Sequence, residues 1–119
     1  MIDQAAFDEL VRTALDDLPE QFQYALENVA IVVEDEPTRS QMAEVHLEPG
    51  DHELFGLYEG LPLTERGPGY SGLPDRIVIF RKPLIRSFSA RGDIEREVRR
   101  TVIHELGHHM GLDDHEMLY

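Results

Sequence analysis

The last long amphipathic segment, from about Ile94 to Met110, most constrains the fold because its two faces carry different kinds of residue. At about 100° per residue, a helix places His104, Glu105 and His108 on one face. Beside them on that face lie Arg100 and Thr101. The opposite face is apolar and contains Val98, Val102, Ile103, Leu106 and Met110. We therefore expect the helix to bury one face in the core and to present the other at a functional surface.

The same geometry separates the histidines into two kinds. His104 and His108 are one helical turn apart, so both imidazoles can reach one ion. His109 lies about 140° from His104 around the helix, on the apolar side. We expect His104 and His108 to act together, and His109 to pack or to hydrogen-bond at the edge of the core.

The rest of the chain predicts an α+β domain with a short sheet of about three strands packed against helices. Apolar residues at helical spacing predict a helix ending near "DDLP", and Pro19 opens a second short helix. "NVAIVVED" and "ELFGLYEG" are predicted strands, and Gly56 in the latter marks a bulge or the close approach of another backbone. "RIVIF" is apolar without alternation, which places it centrally in the sheet. A short helix then precedes the long one, whereas residues 36–53 are turn-rich and receive no assignment.

Length and composition limit the class of protein. The 119 residues predict one domain, residues 1–119. The apolar runs are far shorter than the roughly 20 residues of a membrane helix, and "MIDQAAFDELV" does not resemble an export signal. We therefore expect a cytoplasmic protein without membrane contact. Because the chain contains no cysteine, any metal must bind to nitrogen and oxygen.

The acidic charge bears on the choice of partner. The net charge is -13, and residues 1–60 carry 15 acidic against 2 basic side chains, whereas the remainder carries 9 of each. An acidic surface repels phosphates, so nucleic acid is not expected as a partner. A basic peptide is the better candidate, and solubility alone is the simplest reason for the charge.

The segment "HELGH" combines the two paired histidines with Glu105. Neutral imidazoles bind zinc without cancelling its charge, and the ion lowers the pKa of a bound water to about 7. Glu105 beside that water can accept its proton and return it to a leaving amine. Gly111 can end the helix, and Asp114 follows, which gives the string H-E-x-x-H-x-x-G-x-x-D. A carboxylate is an ordinary zinc ligand, although Asp113 and His115 are rivals for the third position.

Three segments, "LFGLYEGLPLTERG", "LPDRIVIFRKPL" and "TVIHELGHHMGLDD", resemble the small bacterial zincin-like metallopeptidases, also called minimal zincins or Asp-zincins. The resemblance runs from about Leu54 to Asp114. It implies a compact zincin fold and one zinc ion per chain, held by His104, His108 and Asp114. It also implies zinc-dependent hydrolysis of peptide bonds with Glu105 as the general base. Met117 is too close to Asp114 for a separate Met-turn to be carried over.

An edge strand is the expected binding site for substrate. In zincins a sheet edge above the metal typically holds an extended peptide by main-chain pairing. "ELFGLYE" is the candidate because "RIVIF" is predicted to be central, although an ordinary edge strand would look the same. The predicted substrate-binding residues are Leu54, Phe55, Gly56, Leu57 and Tyr58. The side chains that could donate to an oxyanion are Tyr58, Tyr70, His52 and Tyr119.

Two other functions remain open at the level of sequence. One is a non-catalytic zinc scaffold that binds a partner peptide, because a small open domain offers little cleft. The other is a metal-dependent ribonuclease, since the H-x-x-x-H-x-x-x-x-x-H spacing of such enzymes is close to this one. A basic stretch favours it, made of Arg81, Lys82, Arg86, Arg91, Arg96, Arg99 and Arg100, whereas Glu105 and the net charge oppose it. We interpret Arg100 as an ion-pair partner ahead of a ligand for a substrate carboxylate. The sequence gives no indication of oligomeric state.

Overall fold

The computed structural model describes residues 2–45, 53–61, 63–69 and 75–111. Within these ranges the structure is α+β, as the sequence predicts, with a three-stranded sheet and five α-helices. The elements in chain order are α1 Gln4–Asp16, α2 Glu20–Leu26, β1 Val29–Glu34, α3 Arg39–Glu44, β2 Gly56–Glu59, a 3₁₀ turn at Leu63–Glu65, β3 Asp75–Phe80, α4 Arg81–Ser87 and α5 Arg91–His109. No helix of the described residues combines the length and the hydrophobicity needed to cross a membrane.

The sheet has the order β1-β3-β2, so the "RIVIF" strand is central, as predicted. Strand β1 pairs with β3 in parallel, with Val29 opposite Asp75. Strand β2 is antiparallel to β3, with Gly56 opposite Ile79, and it forms one edge of the described sheet. The central strand is covered on both faces, which explains its unbroken apolar run.

The core lies between the sheet and two helices that pack on one of its faces. Side chains from α1, α5 and alternate positions of the strands form a single cluster, which includes Phe7, Leu10, Val11, Ala14, Ile77, Ile79, Ile94, Val98, Val102 and Leu106. The opposite face of the sheet carries a smaller cluster of Leu57, Val78 and Phe80, with Leu54 packed against it. This division follows from the alternation of side chains along a strand.

The helices differ from the prediction in two places. Helix α5 begins at Arg91, earlier than the predicted Ile94. Helix α3 occupies part of the stretch that received no assignment, and it starts with a capping box in which the Thr38 side chain accepts from the Gln41 amide at 3.0 Å while the Gln41 side chain accepts from the Thr38 amide at 2.9 Å. The T-x-x-Q pattern at residues 38–41 is the local signal that identifies this helix start.

Gly56 is a place of close approach and not a bulge, because β2 pairs with β3 in unbroken register. A Cβ atom at this position would overlap the Cγ2 atom of Thr101 on α5, and would lie 3.0 Å from the carbonyl oxygen of Val78. The missing side chain therefore lets α5 lie directly against β2.

We expect Gly56→Ala to lower the free energy of unfolding by about 1 to 3 kcal/mol, because α5 and β2 must separate to accommodate the methyl group. Gly92→Ala is the matched control, since a Cβ there meets nothing within 4 Å, and it should leave stability unchanged or raise it by up to about 1 kcal/mol. Adding Thr101→Ala to Gly56→Ala should restore part of the loss. Urea unfolding of the four proteins measures these effects, and a Gly56→Ala protein as stable as the wild type would refute the close approach.

Candidate metal centre

Helix α5 brings His104, Glu105 and His108 together. One ligand atom of each lies within 4.8 Å of the others, and all three residues are half-buried. The Nε2 atoms of His104 and His108 are 3.3 Å apart. Two nitrogens bound to one tetrahedral zinc ion at about 2.05 Å would be separated by about 3.3 Å. The pair therefore has the spacing of two ligands on a single ion.

The carboxylate of Glu105 is oriented by the edge strand. Its Oε1 atom accepts a hydrogen bond from the backbone amide of Tyr58 at 2.9 Å. The direction of this amide follows from the sheet, because the Phe80 amide donates to the Phe55 carbonyl at 2.9 Å and alternate residues of β2 therefore point toward β3. The backbone N–H and C=O groups of Gly56 and Tyr58 point away from β3. This hydrogen bond orients the carboxylate through Oε1, one of its two oxygens.

His109 does not belong to the metal cluster. It is only 5% exposed, and its Nδ1 atom contacts Oδ2 of Asp75, a residue that is 3% exposed. The guanidinium of Arg66 contacts the same carboxylate oxygen. His109 thus packs and makes polar contact at the edge of the core, as the helical spacing predicts. Asp75 and Arg66 are not predicted by the sequence, because no local pattern links either residue to the histidine.

Tyr58 joins this buried group through its side chain. Its ring lies edge-on to the His109 ring, with centroids 5.7 Å apart, and its hydroxyl is buried. Burial, followed by the negative charge of Asp75, raises the pKa of Tyr58 to about 12. The hydroxyl faces Asp75, so the contribution of Tyr58 to the metal cluster is its backbone amide. Of the other candidate oxyanion donors, His52, Tyr70 and Tyr119 lie outside the described residues.

The end of α5 has the predicted geometry. The amide of Met110 donates to the Leu106 carbonyl at 3.0 Å, and that of Gly111 donates to the His108 carbonyl at 2.9 Å. Gly111 has φ 91°, the left-handed conformation that favours glycine. Asp114, its rivals Asp113 and His115, and Met117 lie outside the described residues, so the identity of the third ligand stays a prediction.

A groove of about 250 Å³ runs beside the cluster, between α5 and the start of β2. Its lining residues are Leu54, Phe55, Gly56, Glu97, Arg100, Thr101, His104 and Glu105. Arg100 forms an ion pair with Glu97 at 3.6 Å, in agreement with our interpretation of this arginine. Leu57, predicted to bind substrate, is buried with Val78 and Phe80 on the opposite face of the sheet, because side chains alternate along β2. The groove therefore involves Leu54, Phe55 and Gly56 of the predicted stretch.

The model of the zincin-like metallopeptidase family matches residues 26–119, which include the sheet and α5. The chain belongs to the zincin-like metallopeptidase family. Its fold is similar to the solved structure of a conserved hypothetical protein (TTHA0227) from "Thermo thermophilus", with 28% sequence identity, a TM-score of 0.57, and coverage of 91% of this chain and 94% of that chain. None of the curated proteins matches this sequence.

For this zincin-like chain we expect about one divalent ion per molecule after incubation with zinc and desalting. His104→Ala and His108→Ala should each abolish stoichiometric binding, because each removes one of the two paired nitrogens. His109→Gln should still bind one ion when zinc is saturating, since its ring faces Asp75. Elemental analysis of the four proteins tests this, and an alanine variant that stayed fully loaded would rule out its histidine as a ligand.

A second comparison concerns the third ligand. We expect Asp114→Ala to weaken zinc binding markedly, because a carboxylate ligand is lost, whereas Asp113→Ala and His115→Ala should bind zinc as the wild type does. Zinc titration of the three variants against a chelator measures the effect. A large loss of zinc affinity in His115→Ala alone would identify His115, and not Asp114, as the third ligand.

Proposed function

We propose that this protein is a zinc-dependent peptidase that hydrolyses peptide bonds with Glu105 as the general base. The observation that carries the proposal is the position of Glu105. One of its carboxylate oxygens lies within 4.8 Å of a ring nitrogen of each histidine, and its Oε1 atom accepts a hydrogen bond from the Tyr58 amide of an edge strand. Hydrolysis of a peptide bound along a sheet edge needs a general base that lies close to both the metal site and that edge.

The residues fit zinc. The 3.3 Å separation of the histidine nitrogens suits a tetrahedral ion, and a chain without cysteine offers nitrogen and oxygen donors. His104, His108 and Asp114 would hold the ion. When bound, zinc supplies a water of lowered pKa and polarises the carbonyl of the substrate.

Glu105 handles the proton of the reaction. Its carboxylate accepts a proton as the water oxygen bonds to the carbonyl carbon of the substrate. It returns that proton to the amine nitrogen as the carbon–nitrogen bond breaks, so the products are a carboxylic acid and an amine. The Tyr58 amide keeps the carboxylate in one orientation during both transfers, which lowers the entropy cost of positioning the base.

Strand β2 and the adjacent groove would bind the substrate. The backbone groups of Gly56 and the carbonyl of Tyr58 point away from β3, so an extended peptide could pair with them. A substrate side chain would enter the groove beside Leu54 and Phe55. The net charge of -13 favours basic peptides, and we propose the cytoplasm as the place of action.

The ribonuclease alternative is the less favoured hypothesis, because most arginines of the basic stretch contact acidic side chains. Five of its arginines form ion pairs with acidic side chains, and these are Arg81, Arg86, Arg96, Arg99 and Arg100. Neighbouring carboxylates lower the positive potential that would attract a phosphate backbone. The non-catalytic scaffold remains the competing hypothesis, and the next experiment distinguishes it.

We expect Glu105→Gln to lower peptidase activity by about 10² to 10⁴-fold with zinc still bound, because glutamine keeps the size of the side chain but cannot accept the proton. Glu95→Gln is the matched control, since it makes the same change on α5 but pairs with Arg99 at 3.4 Å and should retain activity. Initial rates on a library of basic extended peptides, with zinc content measured for each protein, give the comparison.

Two outcomes would contradict this function. Equal cleavage by wild type and Glu105→Gln, both zinc-loaded, would assign the activity to a contaminant or to another mechanism. If neither protein cleaved any peptide while both bound one peptide alike, the protein would be a zinc scaffold.

A further inference from the structure

The last turn of α5 carries His108, yet it has little apolar anchorage. Leu106 is fully buried, but Gly107 has no side chain, His108 faces the metal cluster, and Met110 is 50% exposed. His109 is therefore the only side chain of residues 107–110 that is buried in the core. The last turn of a helix is also the turn whose carbonyls lack following amides, so it frays most readily.

His109 contacts two strands directly and a third part of the fold through Asp75. Its Nδ1 atom contacts Asp75 at the start of β3, and its ring meets the ring of Tyr58 on β2. Asp75 is held in turn by Arg66, which follows the 3₁₀ turn and whose Nε donates to the Leu61 carbonyl at 2.8 Å. The end of α5 is thus connected to two strands and to the segment between them.

The buried polar group formed by His109, Asp75 and Arg66 is not the arrangement that stability alone would favour. A buried carboxylate loses several kcal/mol of hydration, which its partners must offset. Apolar side chains in place of the whole group would fill the same space, and replacing a complete buried ionic group by well-packed apolar residues is often neutral or stabilising. A buried polar contact is directional, because its two polar atoms meet in only one orientation of the side chains.

We propose that Asp75 and His109 are positioning residues for the metal centre. Their contact fixes the rotation of the last turn of α5 and with it the ring of His108. Tyr58 connects this constraint to the general base, because its ring meets His109 while its amide holds Glu105. The inference rests on the proposed function in one respect, since it takes His104 and His108 to be the metal ligands.

Zinc affinity tests the proposal without any substrate. In competition with a chromophoric chelator, His109→Gln and Asp75→Asn should each raise the Kd for zinc by about 10-fold, the lower end of the effect expected for groups that support metal ligands. The double variant should be no weaker than the weaker single variant, because the two residues act through one contact. Glu59→Gln is the matched control, since it removes a carboxylate that pairs with Arg76 next to Asp75 in the sheet, and its Kd should equal that of the wild type.

Hydrogen exchange provides the structural readout. In His109→Gln the amides of Met110 and Gly111, which close the end of α5, should exchange about tenfold faster, whereas the amides of β3 should keep their protection. Faster exchange throughout the protein would indicate general destabilisation and would overturn the proposal. An unchanged Kd in folded His109→Gln and Asp75→Asn would overturn it as well, as would additive losses in the double variant.

His109→Leu provides the test if the polar variants do not fold, because leucine fills the space but cannot make a polar contact with Asp75. A folded His109→Leu protein should bind zinc about 10-fold more weakly, and an unchanged affinity would refute the positioning role. All of these experiments measure zinc affinity or the exchange of backbone amides, and none requires a substrate. A wild type that cleaved no peptide would therefore contradict the proposed function while leaving this result intact.

Discussion

The packing of α5 against the sheet is the contact on which the site depends. Val98, Val102 and Leu106 are fully buried with Ile77 and Ile79 of the central strand, and burial of each such side chain contributes about 1.5 to 3 kcal/mol. This packing fixes the rotation of the helix. Because His104 and His108 lie on the other face, the same rotation directs both toward one point, so the core and the metal cluster are set by a single helix orientation.

Strand β2 links that packing to the orientation of the general base. Gly56 lets α5 approach the strand, and two residues later the Tyr58 amide reaches the Glu105 carboxylate at 2.9 Å. The base is therefore held by a backbone group of the sheet edge, which is also the edge proposed to bind a peptide. In a sequence of 119 residues one strand can thus contribute both to orienting the base and, in the proposed function, to holding the substrate.

The polar side chains on the two faces of the end of α5 differ in how deeply they are buried. His104, Glu105 and His108 are half-buried beside a groove, where an ion and a substrate can reach them. His109 and Asp75 are almost completely buried and contact each other, and Arg66 contacts the same carboxylate oxygen of Asp75. This difference explains how two adjacent histidines, His108 and His109, can take unrelated roles.

The sequence by itself determined the features that depend on local periodicity. The helical repeat separated His104, Glu105 and His108 from His109, the apolar run of "RIVIF" predicted a central strand, and Gly111 predicted the end of α5. The tertiary structure alone decided which distant groups meet. Tyr58 reaches Glu105 across 47 positions of the chain, and His109 meets Asp75 because β3 begins beside the last turn of α5. Such contacts depend on strand order and register, which arise from the packing of the whole domain and leave no local pattern in the chain.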